Sequence, residues 1–290
     1  LKSPIDRQDI TGIAALTAPW GNSRVVTLFI RSLFIYTLFK VAVFASLVPD
    51  ILGHEGFTVP TNPVAWVLFL PLRLVDVDVW IFLASVTLAL LVSLVLRPNY
   101  ITSILLCVLV YNLFRFALPV LNGSDQVLVV MSVWAIALPL YPQAKGERMR
   151  ILQHTASNVS LIVIRIQVIL IYWISGVDKL LSSVWRSGDA FAYIWHLEFK
   201  INPGLAHFGN PGLNWFLSWL TIVFELAFGI TVWFKRTRLI TLALGVLFHV
   251  CIGLMLNLLD FALIMILPYL CFLNDAEYDQ LWRPFKRRPR

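Results

Sequence analysis

The chain has 290 residues, of which 59% are hydrophobic and only 13% charged, and its mean hydropathy is +0.80. Soluble domains carry roughly 25% charged residues, so water cannot be the solvent for most of this surface and a bilayer is expected instead. The formal net charge of +7 comes with no nucleic-acid motif, which removes nucleic acid as an expected partner and points the basic residues at topology and anionic lipid.

Backbone polar groups in hydrocarbon must be satisfied internally, which leaves helices or a closed barrel. The apolar runs here are long and unbroken, whereas barrel strands alternate in polarity. The expected fold is therefore all-α, a polytopic transmembrane bundle of about eight spans. Residues 1–24 form a polar leader with turn chemistry at Ala18–Asn22. Val25–Val48 is the first span and is expected to serve as its own insertion signal. Pro63–Leu74 is apolar but short and broken by Pro71, so it reads as interfacial or re-entrant. Val79–Leu96 and Tyr100–Leu121 are the second and third spans, joined by Arg97-Pro98-Asn99. The Asn122-Gly123-Ser124-Asp125 turn leads into a short fourth span, Gln126–Tyr141.

A polar loop, Pro142–Asn158, precedes the fifth span, Val159–Gly176. The polar stretch Val177–Gly212 follows, rich in Trp, His, Gly and Pro, before the sixth span, Leu213–Phe234. Leu239–Leu256 is the seventh span, Phe261–Leu273 a short eighth, and residues 274–290 a basic tail. Residues 25–273 thus make one membrane domain. Alternate loops carry Arg97, then Lys145, Arg148 and Arg150, then Lys235, Arg236 and Arg238, and then the tail. The positive-inside rule places these loops and both termini in the cytoplasm and turns 177–212 outward.

Ionisable groups in hydrocarbon cost roughly 2.5–3.5 kcal/mol each on insertion scales, so they face the bundle interior. The candidates are Arg115, Arg165, Lys179, Glu225, His249 and Asp260. A buried Arg165–Glu225 pair between consecutive helices would satisfy both as structure alone. His249 reads as a hydrogen-bonded core residue or a pocket group. Lys179 stands at the outer end of the fifth span; it is either a snorkelling interfacial lysine or a desolvated base. Cys107, Cys251 and Cys271 lie in apolar segments without a CxxC pattern and read as small core residues. No metal-ligand spacing, P-loop, GxGxxG, HExxH or GxSxG is present.

Arg165-Ile166-Gln167, Tyr172, Ser175-Gly176-Val177-Asp178-Lys179-Leu180, Trp185 and Gly188 together resemble the core motif of the horizontally transferred transmembrane (HTTM) family. Glu225 in the next helix, the basic turn Lys235–Arg238 and Phe248-His249 extend that resemblance. The family includes the membrane domain of vitamin K-dependent gamma-glutamyl carboxylase. The resemblance implies a carboxylase-like membrane fold, with Lys179 at the position of the base that deprotonates a reduced quinone and His249 at a family histidine. Arg165, Gln167, Glu225 and Trp185 are the implied surroundings, and Asp260 joins them as a pocket candidate by its polarity alone. The chain ends soon after the last span, so a carboxylase gripping a propeptide through a large soluble region is not expected. The Asn122–Gln126 turn, with Asp125, and Arg31-Ser32-Leu33 resemble the bacterial sporulation-delaying protein B family, linked to maturation of a secreted peptide.

Two functions follow as expectations. One is a maturation factor or enzyme of a bacterial inner membrane, acting at the outer face on a secreted peptide or a lipid-soluble quinol. The other is a non-catalytic subunit of a secretion, motility or envelope complex, offering the aromatic-rich segment 177–212 to a partner. A transporter would want paired broken helices and internal symmetry, and neither is visible.

Overall fold

The computed structural model describes residues 23–51, 79–117, 122–139, 146–197 and 210–282. The leader up to residue 22, the Pro63–Leu74 stretch, the tail from Arg283 and the side chain of Arg115 lie outside the described residues. So do residues 142–145 and 198–209. Everything described is helix, turn or short connection, with no strand.

The chain divides into two compact units, Ile30–Pro139 and a second made of Leu1–Phe29 with Leu140–Arg290. The first unit holds most of α1 (Ser23–Ile51), with α2 (Val79–Val95), α3 (Tyr100–Ala117) and α4 (Gly123–Ala135). Its core is apolar, built from Leu33, Phe34, Leu90, Leu106, Leu113, Leu128 and Met131, all essentially inaccessible. Local chemistry sets the helix starts. Asn99 Oδ1 accepts from Thr102 N at 2.9 Å while Thr102 Oγ1 accepts from Asn99 N at 2.9 Å. At α4 the Asn122 side chain accepts from the Ser124 and Asp125 amides while the Asp125 side chain accepts from Asn122 N at 2.9 Å, a capping box. The helix starts three residues before the expected Gln126 and ends at Ala135, short of the expected Tyr141, 13 residues in all.

The second unit holds α5 (Glu147–Leu181), α6 (Ser183–Ser187), α7 (Asp189–Trp195), α8 (Pro211–Thr231), α9 (Lys235–Leu256), α10 (Leu259–Ile266) and α11 (Asp275–Trp282). A 3-10 segment, Leu267–Phe272, links α10 to α11 and carries Pro268, whose missing N–H suits a break. The expected loop Pro142–Asn158 is corrected here. From Glu147 onward it is the first part of α5, a helix of 35 residues. Its mixed polar composition marks an exposed first three turns, because polarity alone does not break a helical segment that, like Glu147–Asn158, lacks Pro and Gly.

α8 opens on Asn210, whose Oδ1 accepts from Leu213 N at 2.7 Å, with Pro211 in the first turn. α9 closes on Asn257 in the left-handed region at φ 56°.

Among the described residues, four helices are long and apolar enough to cross a membrane: Arg24–Ser46, Glu147–Leu181, Pro211–Thr231 and Lys235–Leu256. A fifth is counted if Leu259–Phe272 and Asp275–Leu281, bent by 120°, form one broken span. Leu83–Val95 and Tyr100–Tyr111 are shorter apolar helices. Large side chains such as Leu88, Ile101, Leu181, Val223 and Leu247 point outward on these helices, which is stable against lipid and not against water. The protein is a helical integral membrane protein.

Residues 274–282 are not a basic tail but part of an acid-led helix with a structural task. Asn274 and Glu277 cap α11 reciprocally. Asp275 accepts from Val25 N at 3.1 Å, and Asp279 pairs with Arg24 at 3.0 Å. Arg238 donates to Glu277 at 2.9 Å and to the carbonyls of Val232 and Trp233, closing the end of α8. The start of α1 and the last helix therefore meet at the same end of this unit.

Candidate functional site

Tyr172, Ser175, Gly176 and Lys179 recur at three- and four-residue spacing and share one face of α5. Glu225, Phe228 and Gly229 do the same on α8, with Val232 at its C-cap. The two helices run antiparallel and close. A Cβ at Gly176 would stand 3.1 Å from Glu225 Cβ, and one at Gly229 would stand 2.5 Å from Trp173 Nε1. Trp173 Nε1 donates to the Leu226 carbonyl at 3.1 Å and holds that register. Small residues at the crossing are what let two membrane helices approach this far.

At the crossing, Lys179 Nζ donates to both carboxylate oxygens of Glu225 at 2.9 Å. Ser175 Oγ accepts from Lys179 and donates to Glu225 Oε1 at 3.2 Å. The ammonium also sits 5.0 Å from the centre of a Trp185 ring, a cation–π distance. The lysine side chain keeps 17% of its exposure and the glutamate only 6%.

This arrangement corrects the expected Arg165–Glu225 pair. Gly176 is level with Glu225, and Arg165 is eleven residues further back on α5, about 16 Å along the axis. Arg165 Nε instead donates to the Cys271 carbonyl at 2.7 Å, with its guanidinium 5.9 Å from the Phe272 ring centre.

Lys179 stands in the last turn of α5. It is two residues from the end of α5, but α6 and α7 fold back over the first half of α8. Asn214 Oδ1 accepts from Trp195 Nε1 at 2.7 Å, and the Arg186 carbonyl accepts from Trp219 Nε1 at 3.3 Å. Glu225 lies fourteen residues in from Pro211 and six short of Thr231, roughly 21 Å and 9 Å along the axis. The pair thus sits well inside α8 and not at its rim.

A second network lies two turns away. Tyr172 hydroxyl is hydrogen-bonded to His249 Nε2 at 2.7 Å and to the Tyr269 hydroxyl. Phe228 stacks on Tyr172 with ring centres 4.1 Å apart, and Phe248 and Phe261 flank the imidazole. His249 is almost wholly buried, and its Nδ1 has no hydrogen-bond partner among the described residues.

The chain is similar to sporulation-delaying protein SdpB of Bacillus subtilis (strain 168). Identity is 25% over 196 residues, which is 63% of this chain and 60% of SdpB. The match thus spans about three fifths of that relative's own length. No family model matches the chain. No solved structure matches it either.

The remaining anticipated residues divide. Trp185 joins the Lys179 cluster. Gln167 is half-buried on α5, and no hydrogen bond links it to either network among the described residues. Asp260 Oδ1 accepts from the Phe261 amide at the start of α10.

Asp125 belongs to the other unit, where Lys40 meets it at 2.6 Å with both side chains deeply buried. Lys40 was missed although a lysine inside a first span is itself a signal. Tyr269 was missed because nothing in an isolated apolar run says which tyrosine turns inward. No group of three or more His, Cys, Asp or Glu able to hold a metal exists among the described residues.

Proposed function

We propose that the chain is an HTTM-type membrane domain of eight spans, resident in a bacterial cytoplasmic membrane with both termini cytoplasmic. In this reading it acts as a maturation enzyme on a secreted peptide, with Lys179 as the working base. The observation that carries it is the Lys179–Ser175–Glu225 cluster, an ion pair set well inside an apolar helix pair, where such groups are costly unless used. The similarity to SdpB, a sporulation-delaying protein of Bacillus subtilis, supports a bacterial setting.

Lys179 can act as a base only after it loses a proton. The carboxylate of Glu225 is the group in contact that can take it, leaving a neutral amine beside a neutral acid. Ser175 bridges both heavy atoms and keeps them in line for the return transfer. His249 is the residue that would hold the quinol that the family resemblance implies. Phe248 and Phe261 offer ring faces, and Nδ1 offers a buried polar atom in want of a partner. Bound there, a quinol would supply a phenolic proton and two electrons.

The test compares secreted peptides by mass spectrometry. Strains carry a deletion of the gene, complemented with the wild-type chain or with Lys179→Ala, and membrane abundance is matched by immunoblot. A peptide modified in the wild type and unmodified in both the deletion and Lys179→Ala is expected. Full restoration by Lys179→Ala at equal abundance refutes the catalytic reading.

A non-catalytic role in a membrane complex is the second reading. It is favoured by the two-pronged hold of Glu225 on Lys179, a geometry that also suits a strut. The exposed Tyr193, Trp215 and Phe216 beside α7 add a surface for a partner.

A further inference from the structure

α8 carries its polar residues in an order that its function as a span does not require. Asn214, Ser218, Thr221 and Glu225 follow one another at spacings of four, three and four, so they line one face. All four are buried, whereas Phe216, Leu220 and Val223 on the remaining surface are more than half exposed. The face begins beside Asn210, Pro211 and Gly212, which are exposed, and ends at the Lys179–Glu225 pair. α6 and α7 form a wall along its first half, through Trp195 on Asn214 and Trp219 on the Arg186 carbonyl.

Small polar residues on an inner face can serve close packing alone. Ser218 argues for more. Several hydroxyls elsewhere in these helices satisfy themselves on the preceding turn: Thr37 on Leu33, Thr87 on Leu83, Thr155 on Ile151 and Thr231 on Ala227, all at 2.8–2.9 Å, though the buried Ser103 of the other unit does not. Ser218 could do the same with the Asn214 carbonyl and does not. Its Oγ is fully buried and has no hydrogen-bond partner among the described residues. A buried hydroxyl without a partner calls for a polar ligand small enough to fit a side-chain seam.

We propose that the Asn214–Ser218–Thr221 face is a hydration path, closed in this conformation and opened to single waters by side-chain motion, leading from the Asn210 end of α8 to Glu225 and Lys179. Its ligands are water and protons. This rests on the proton-transfer reading of the Lys179 cluster and supplies the step that reading lacks. A proton that Glu225 has taken from Lys179 passes to water held by Thr221 and Ser218 and leaves as hydronium at the Asn210 end. Glu225 returns to a carboxylate and the lysine stays neutral.

The test uses silver ion, a thiol reagent close to water in size, on intact membranes. Cys107, Cys251 and Cys271 are first replaced by Ala; the Cys271 carbonyl that binds Arg165 is main chain and survives. Single cysteines are then introduced as Ser218→Cys, which is nearly isosteric, Thr221→Cys, and the outward-facing Leu220→Cys and Val223→Cys. After silver treatment, unreacted thiols are counted with a mass-tagged maleimide in denaturant.

Blocking at positions 218 and 221 is expected to be about tenfold faster than at 220 and 223, because the reactive thiolate forms only where water reaches it. Equal rates at all four, or no blocking at 218 and 221, overturn the path. The two readings fail separately. A reactive Ser218→Cys with a fully active Lys179→Ala keeps the path and removes the base. An inert Ser218→Cys with an inactive Lys179→Ala does the reverse.

Discussion

Removing Glu225 and Lys179 singly and together gives the sharpest test of what the cluster does for the fold. In Glu225→Leu the lysine, only 17% exposed, loses both 2.9 Å acceptors and keeps Ser175 and the Trp185 ring. In Lys179→Met the carboxylate, 6% exposed, keeps only the Ser175 hydroxyl. Breaking one side of a buried pair costs about 3–5 kcal/mol. The lower end applies here, because the lysine retains some access to solvent and a cation–π contact worth about 1 kcal/mol.

Each single variant should therefore lose about 3 kcal/mol. The double variant Lys179→Met/Glu225→Leu removes both desolvation penalties and should fall within about 1 kcal/mol of the native chain, where simple addition would give about 6 kcal/mol. The assay is reversible unfolding in mixed micelles by titrated dodecyl sulfate, followed by tryptophan fluorescence. A double variant as unstable as the two singles added would refute the claim that these groups act as one buried pair. Loss of function in a stable double variant would then separate chemistry from architecture.

Three further outcomes follow from other contacts. Gly188 sits at φ 90° with its Cβ position 2.7 Å from Trp215 backbone atoms, so Gly188→Ala should cost about 2–4 kcal/mol and lower the melting temperature in detergent; a neutral result would mean that α7 does not sit on α8 as described. Arg238→Met removes the tie between α8 and Glu277, and at 16% exposure on both sides should cost about 2–3 kcal/mol. Hydrogen exchange across Asp275–Trp282 should accelerate, and unchanged exchange there would refute the latch. Asp275→Ala uncaps Val25 N at a cost of about 1 kcal/mol, so that amide should exchange roughly fivefold faster. An unchanged rate would show that the cap does not form in the membrane.

How much of this was legible beforehand depends on whether a feature is local. The starts of α3, α4 and α8 could be read from Asn99, Asn122 and Asn210, because a cap is a contact over three residues. The end of α9 before Asn257 could be read for the same reason. Glu147–Asn158 could not: its polarity looked like a loop, yet an exposed helix extension has the same composition. Tyr172, Ser175, Lys179 and Trp185 fell in one motif. Their partners Glu225 and Tyr269 stand 46 and 97 residues away from Lys179 and Tyr172 respectively.

Composition by itself determined the solvent and, through it, the helices: a chain with 13% charge and long apolar runs has no other way to satisfy its backbone in lipid. It also determined that Lys179, Glu225, Arg165 and His249 would need partners, since each is costly in hydrocarbon. Which partner each took was decided only by the tertiary structure. The antiparallel register set by Gly176 and Gly229 carried Lys179 to Glu225 and left Arg165 about 16 Å away. The fold-back of α6 and α7 put that pair inside α8. Register and depth arise from shape contacts between distant segments, and no pattern within a single span records them.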